Sequence, residues 1–343
     1  MKKIALFLAC TSLIGFNMTA ADNPAEPIFK EGKEKFNQYD DAQAQLLMQQ
    51  PIDTLAVGSA LLDGYDLFLK ALPLDSVLEV NKDGSPKIDK KTGKQKVKTK
   101  YSKDIVNILV GHHNDFVVVG QMFNEQQNYA LAAKAWGIYA SLPSAEFLGD
   151  KKPELPDSTV AQFRYYEGVM LFQAKDNDKA LAAFYEALNK GYDYKETTDM
   201  IKYLVGLSVD KYLQEKNYTQ CSELLNTAMQ NCPNEAVFLL FKGILTETET
   251  GDMEQAVKYY KGAAEKDPTL ALAQYHVGRY YNNKAVNLMN AEENLNKTDE
   301  ELGKLIDPIC LEAKPYLEKA VELDPTNSEA QRMLNWVNDR LSK

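Results

Sequence analysis

The sequence predicts an all-α fold, a right-handed solenoid of antiparallel helix pairs. Three observations carry that reading. From about residue 113 onward a cassette recurs in which a small residue, a bulky one, an alanine and a second bulky residue keep fixed offsets, as in Gly168, Leu171, Ala180, Phe184 and Ala187. Further copies are Gly120, Phe123, Ala132 and Trp136, then Tyr212, Cys221, Leu225 and Ala228, then Ala256, Tyr260 and Ala263. The second helix of a copy is closed by a proline, at Cys232-Pro233, Asp267-Pro268 and Asp324-Pro325, because proline cannot continue a helix. A hydrophobic content of 45% with only 18 Gly in 343 residues supplies enough apolar surface for packed helices and argues against a disordered chain.

The elements follow in order. Met1, Lys2 and Lys3 precede an apolar run from Ile4 to Phe16 and a small-residue exit at Ala20 and Ala21. The run is shorter than the ~20 residues that span a bilayer, so 1–21 reads as a secretory signal peptide, cut after Ala20 or Ala21. The expected location is periplasmic or extracellular. The alternative is a lipid anchor on Cys10, although Phe7, Leu8 and Ala9 make a poor recognition site. Residues 22–80 hold a polar linker and two helices, Phe29 to Gln50 and Thr54 to Leu72. Asp63, Gly64, Tyr65, Phe68 and Ala71 trace a degenerate repeat in them.

Residues 81–103 form an insertion with nine Lys, two Asp and no Arg. Its turn signals at Asp83-Gly84 and Thr92-Gly93 predict a solvated loop or short hairpin. Residues 104–343 form the solenoid. Tyr101 to Glu125 and Asn128 to Ser141 make its first pair, Pro143 to Asp157 is a loop, and helix pairs follow from Val160. Thr298 with Glu301 predicts a capping box, and Pro308 and Pro315 predict a restart or kink in the helix that follows. The last helix, Ser328 to Leu341, carries apolar Met333, Leu334, Val337 and Leu341 on one side and caps the array.

This pattern resembles the tetratricopeptide repeat family, whose unit is about 34 residues. Gly168 to Ala180 and Gly120 to Ala132 both span 12 residues, the family's spacing from the first small residue to the alanine. Pro233 to Pro268 spans 35 residues, one over the period, and Pro268 to Pro325 spans 57, so 23 extra residues separate Gly278 and Tyr281 from Ala313, Leu317 and Ala320. The resemblance implies a scaffold for protein or peptide partners, held on the first helix of each pair. Carried over by alignment, the partner-facing positions are Asn114, Val117, Gln121 and Asn124; Gln162, Tyr165, Val169 and Phe172; Tyr203, Asp210 and Leu213; and Tyr275, Arg279 and Asn282. The fourth unit, with its extra residue, receives no assignment. A carbohydrate- or glycan-handling protein of the cell envelope is the alternative, since exposed tyrosines and amides also suit sugars.

Charge and chemistry narrow the classes. The chain is −10 overall, and with the +7 insertion set aside the mature remainder is about −19, a balance that does not attract nucleic acid. Adjacent His112 and His113 point about 100° apart on a helix, and His276 has no ligand partner at a metal spacing, so no metal or cofactor is expected. No phosphate loop, dinucleotide fingerprint or nucleophile elbow is present, and the chain reads as a non-enzyme. Cys221, Cys232 and Cys310 are an odd number, which argues against a full disulfide framework, and Cys221 takes an alanine position and reads as a small buried residue. Asp53-Thr54-Leu55, Asp75-Ser76-Val77 and Asp157-Ser158-Thr159 fit an Asp-Ser/Thr-apolar O-glycan acceptor pattern, but helix capping by the same residues is the preferred reading.

Overall fold

The computed structural model describes residues 23–90 and 93–343. The expected signal peptide, with Cys10, lies outside the described residues. The chain forms two compact units, one running to Thr159 and including Val169–Ala174, the other made of Val160–Gly168 and Lys175–Lys343.

In the first unit, α1 (Ala25–Leu47) and α2 (Thr54–Ala71) form an antiparallel pair. The Asp53 carboxylate accepts from the N–H groups of Leu55 and Ala56 and so starts α2, the capping reading of the Asp53-Thr54 site. The helices meet where side chains are missing. A Cβ on Gly32 would lie 2.7 Å from the Phe68 ring, and one on Gly64 would lie 2.8 Å from the Phe36 ring. Phe36 and Phe68 stack between them at 5.0 Å. The first half of the degenerate repeat is therefore Gly32, 36 residues ahead of its aromatic partner and beyond the reach of a 34-residue template.

After α2 come the short strands β1 (Val77–Leu78) and β2 (Val97–Lys98), which are paired antiparallel, and then α3 (Ser102–Gly111), α4 (Asp115–Glu125) and α5 (Tyr129–Ser141). The single helix expected over Tyr101 to Glu125 is thus broken at His112–Asn114. The two histidines hold that corner. The buried His113 ring stacks on Tyr139 at 4.4 Å with Nε2 2.9 Å from the Tyr139 carbonyl, and His112 Nδ1 lies 2.8 Å from Asp115. Sequence periodicity continues through the break, whereas the tertiary contacts of the rings do not allow it. In the α4/α5 pair Gly120 faces Trp136, whose indole N–H donates to the Val117 carbonyl at 3.2 Å. The loop before α6 (Asp157–Gln173) contains two 3-10 turns, Leu142–Ser144 and Glu146–Lys151.

The second unit contains α7 (Asn177–Asn189), α8 (Lys195–Gln214), α9 (Tyr218–Asn231), α10 (Ala236–Thr250), α11 (Met253–Lys266), α12 (Ala271–Met289), α13 (Asp299–Leu323) and α14 (Ser328–Leu341). The small positions act as expected. A Cβ on Gly168 would strike Phe184, one on Gly243 would strike Tyr260, and one on Gly278 would lie 2.7 Å from Leu317 Cγ. Ala180, Cys221, Ala256 and Ala313 are fully buried at the corresponding places. The Asp-Pro stops share one local device: the Asp267 carboxylate accepts from the N–H of Thr269, and the Asp324 carboxylate from that of Thr326.

The helix α13 corrects the expected restart, since it runs unbroken through Pro308 and Pro315 from its Thr298–Glu301 capping box. Proline costs a helix interior ~3 kcal/mol, through a lost hydrogen bond and a clash of its ring with the carbonyl four residues back. Here both prolines sit seven residues apart on the exposed side, where freed carbonyls meet water, while Gly303, Ile306, Cys310, Ala313 and Leu317 are buried along the other side. Packing against α12 holds the helix together. The final helix, α14, buries Ala330, Met333, Leu334 and Val337, and Arg340 Nε locks it to Asp307 at 2.8 Å. Cys221, Cys232 and Cys310 are buried free thiols, and burial pushes each up to about 11. Among the described residues no helix is long and apolar enough to cross a membrane.

Candidate partner-binding site

The positions chosen from sequence divide by their offset from the small residue of each first helix. Those six before it or one after it stay accessible: Asn114, Gln121, Tyr203 and Asp210 are exposed, and Gln162, Val169 and Arg279 are half-buried. Those three before or four after it turn inward. Val117, Tyr165, Asn124, Phe172 and Leu213 are half-buried, and Tyr275 and Asn282 are buried. The reason is helical geometry: positions at −3 and +4 share a face with the small residue, and that face packs on the second helix. Tyr165 therefore lies 5.6 Å from Phe184 and stacks on Tyr192 at 4.8 Å. Tyr275 donates its hydroxyl to Glu329 of the capping helix at 2.6 Å, and burial, with this hydrogen bond second, pushes its pKa up to about 12. Tyr275 and Asn282 belong to the packing between helices and not to an open surface.

A cavity does form around Arg279, one of the partner-facing positions expected from sequence, with neighbours that the sequence reading did not assign. Where the long α12 runs past the turn between α10 and α11, a cavity of about 550 Å³ opens. Arg279, Asn283 and Asn287, at successive i, i+4 positions on α12, line it together with Lys284, over an apolar floor of Met253, Tyr280 and Leu288. Glu247 at the end of α10 fixes the guanidinium, its two oxygens 2.6 and 2.5 Å from Nη2. The Tyr260 hydroxyl in turn donates to Glu247 at 2.7 Å. Beneath this pair the His276 ring stacks on Tyr260 at 4.4 Å, and burial, reinforced by the Arg279 charge, lowers its pKa to about 4. Lys284 reaches Glu254 at 3.4 Å and the Tyr280 hydroxyl at 3.3 Å.

The cavity thus offers two amides and an oriented ion pair above apolar side chains, a combination that can bond a polypeptide backbone while burying a side chain. The i, i+4 run of Arg279, Asn283 and Asn287 is the signal a sequence reading could have used. It was masked by the alignment to Gly278, which points at Asn282. The Glu247 half lay in the unit left unassigned. A second exposed feature is aromatic: Tyr194, 59% exposed, lies edge-on to Tyr192 at 4.6 Å. Among the described residues no group of His, Cys, Asp and Glu is placed to hold a metal ion.

The helix pairs that close Gly against aromatic or leucine at these offsets make this an all-α array of the tetratricopeptide-like type. The chain is similar to a TPR repeats protein from Bacteroides fragilis at 20% identity, covering 66% of this chain and 98% of that one with a TM-score of 0.42. It is also similar to YrrB, described as a TPR protein with an unusual peptide-binding site, at 15% identity over 68% of this chain and 97% of that one, with a TM-score of 0.34. For the TPR2AB domain of yeast Sti1 in its complex with pHSP90, the identity is 10%, the coverage 93% and 98%, and the TM-score 0.26. No protein-family model matches the sequence, and no curated protein matches it.

Proposed function

We propose that the protein is an exported, non-catalytic tetratricopeptide scaffold that holds a polypeptide partner in the α10–α12 cavity. The observation that carries this reading is the row of Arg279, Asn283 and Asn287 on one face of α12, held beside Glu247 over Met253 and Leu288. Side-chain amides that present both a donor and an acceptor suit the repeating N–H and C=O groups of a peptide. The Lys2-Lys3, apolar and Ala20-Ala21 layout supports export.

The test is a pull-down from an envelope fraction, followed by calorimetry of the recovered partner against wild type and the Asn283→Ala/Asn287→Ala variant. We expect the variant to weaken binding by ~1–2 kcal/mol with its helical content intact. Unchanged affinity would remove the cavity as the site. N-terminal sequencing of exported protein should begin at Ala21 or Asp22. The second reading, a glycan-handling protein, rests on the exposed Tyr194, edge-on to the half-buried Tyr192. It predicts instead that Tyr194→Ala abolishes binding to an isolated envelope glycan.

A further inference from the structure

The Lys-rich insertion is a built object. Its backbone closes a triangle: the Glu79 N–H donates to the Lys96 carbonyl at 2.8 Å, Lys96 N–H to the Lys87 carbonyl at 2.7 Å, and Lys87 N–H to the Glu79 carbonyl at 3.0 Å. Three short segments are thereby paired edge to edge, Leu78 with Val97, Val80 with Pro86, and Ile88 with Gln95. The Asp83 side chain ties off one turn by accepting from Ser85 N–H, and Gly84 and Gly93 take the positive φ of 83° and 68° that the turns require.

The base of the triangle is held by one buried carboxylate. Asp75 accepts from the N–H groups of Lys100, Tyr101 and Ser102, from the Ser102 hydroxyl and from Asn23. It thus joins the start of the insertion to its end and to the N-terminus of α3. Burial opposes its ionised form, but these hydrogen bonds outweigh burial and hold its pKa below the ordinary value.

Alternation along a strand places the three corner residues, Glu79, Lys87 and Lys96, on one side and their neighbours on the other. The Lys87–Glu79 ion pair at 3.1 Å agrees with that placement. The other side then carries Leu78, Val80, Pro86, Ile88 and Val97, all exposed, with Leu78 at 58% and Val80 at 59%. A chain that fixes aliphatic side chains in water on a latched frame, inside a segment (78–103) of charge +6, is presenting a surface.

The chemistry of that surface distinguishes its partner. Protein interfaces favour Arg and aromatic residues and are depleted in Lys. The segment 81–103 has nine Lys and no Arg, and its sole aromatic, Tyr101, is buried at 7% exposure. Single-stranded nucleic acid is held by stacking rings that the described surface lacks, and the net charge of −10 opposes approach to a duplex. Lys82 and Lys90 beside a shallow aliphatic face, within a basic segment, suit an anionic bilayer, with methyl groups at the headgroup boundary and ammonium groups among lipid phosphates.

We infer that this latched β-insertion is a peripheral docking surface for anionic lipid membranes. The test is co-sedimentation of the mature protein with vesicles of phosphatidylglycerol in phosphatidylcholine, compared with phosphatidylcholine alone. The wild-type protein should sediment with the anionic vesicles only, and added NaCl should release it. At about fivefold per basic residue, the Lys82/Lys90→Gln variant, changed at the two lysines that follow Val80 and Ile88 on the aliphatic side, should bind about 25-fold more weakly, and the matching Arg variant should bind like wild type. The Val80→Ser/Ile88→Ser variant should bind about tenfold more weakly. Slow amide exchange at Glu79, Lys87 and Lys96 reports that each variant keeps the triangle. If the serine pair loses it, the glutamine and arginine variants decide. Equal sedimentation with both vesicle types, or full binding by the glutamine variant, would overturn the proposal. So would a protein that ignores vesicles but binds polyglutamate through the same lysines, which would assign the face to an acidic protein.

Discussion

Two neighbouring helix pairs of the second unit, α10/α11 and α12/α13, make the same contact across connections of different length. In the first, Gly243 meets Tyr260 17 residues on, around a turn of Gly251 and Asp252. In the second, Gly278 meets Leu317 39 residues on, with longer helices joined by residues 290–298. The shared contact shows that a helix pair is registered by where a missing side chain faces a bulky one. The length of the connection enters only weakly, because loop-closure entropy grows with the logarithm of length. The short pair gains stability from a large aromatic with a bonded hydroxyl. The long pair spreads its contact over additional turns, and those turns wall the cavity that the short pair leaves open.

The largest expected effect separates these two modes. Tyr260→Ala should cost about 3–5 kcal/mol, since it empties the space over Gly243 and releases Glu247 from its hydroxyl partner. Leu317→Ala should cost less, about 2–3 kcal/mol, because Ile306, Cys310 and Ala313 continue the contact. Urea unfolding of the two variants checks the ranking, and a larger loss for Leu317→Ala would break the comparison.

Acid should reveal where the two pairs meet. His276 titrates at about 4 when folded against an ordinary 6.5, so the fold favours the neutral ring. The stability this provides is complete above pH 6.5 and is lost as pH falls toward 4, by up to ~3 kcal/mol. Thermal melts of wild type and His276→Phe across that window should converge at neutral pH in slope and diverge in acid. Identical acid profiles would place the sensitivity elsewhere.

A smaller effect tests the small positions. Ala256 is fully buried against α10, so Ala256→Leu should overpack it and cost about 1–3 kcal/mol. Lys179→Leu, with a side chain 74% exposed, should stay within about 0.5 kcal/mol. Thermal unfolding that ranked the two in reverse would refute the repeat register. The smallest change concerns the connection itself: extending residues 290–298 to twice their length should cost only ~0.6 kcal/mol. A loss of several kcal/mol in denaturant titration would show that this connection acts as a structural part.

Much of the fold was legible because its signals are local. Gly168 with Phe184, the Asp-Pro stops and the Thr298–Glu301 box each depend on residues a fixed number of positions apart, and the structure uses them that way. The same locality misled where two faces of one helix compete. Tyr275 and Asn282 have the chemistry of binding residues, yet they share a face with Gly278 and are packed away, while Asn283, one residue on, reaches the cavity. Gly32 escaped notice because its partner is Phe68, across a connection that no fixed template spans.

By itself the sequence determined the class of the fold, the register of the small and bulky positions and the ends of most helices, because backbone geometry and capping act over a few residues. Tertiary structure decided the rest. It broke the helix at His112–Asn114 through the His113 ring, which stacks on Tyr139 and meets its carbonyl. It carried α13 through two prolines by burying the opposite side. It joined Glu247 to Arg279 and gathered Asn23, Asp75 and Ser102 under the β-insertion. Each of these outcomes depends on contacts between residues far apart in the chain, whose energies exceed the local preferences they override and have no fixed spacing from which they could be read.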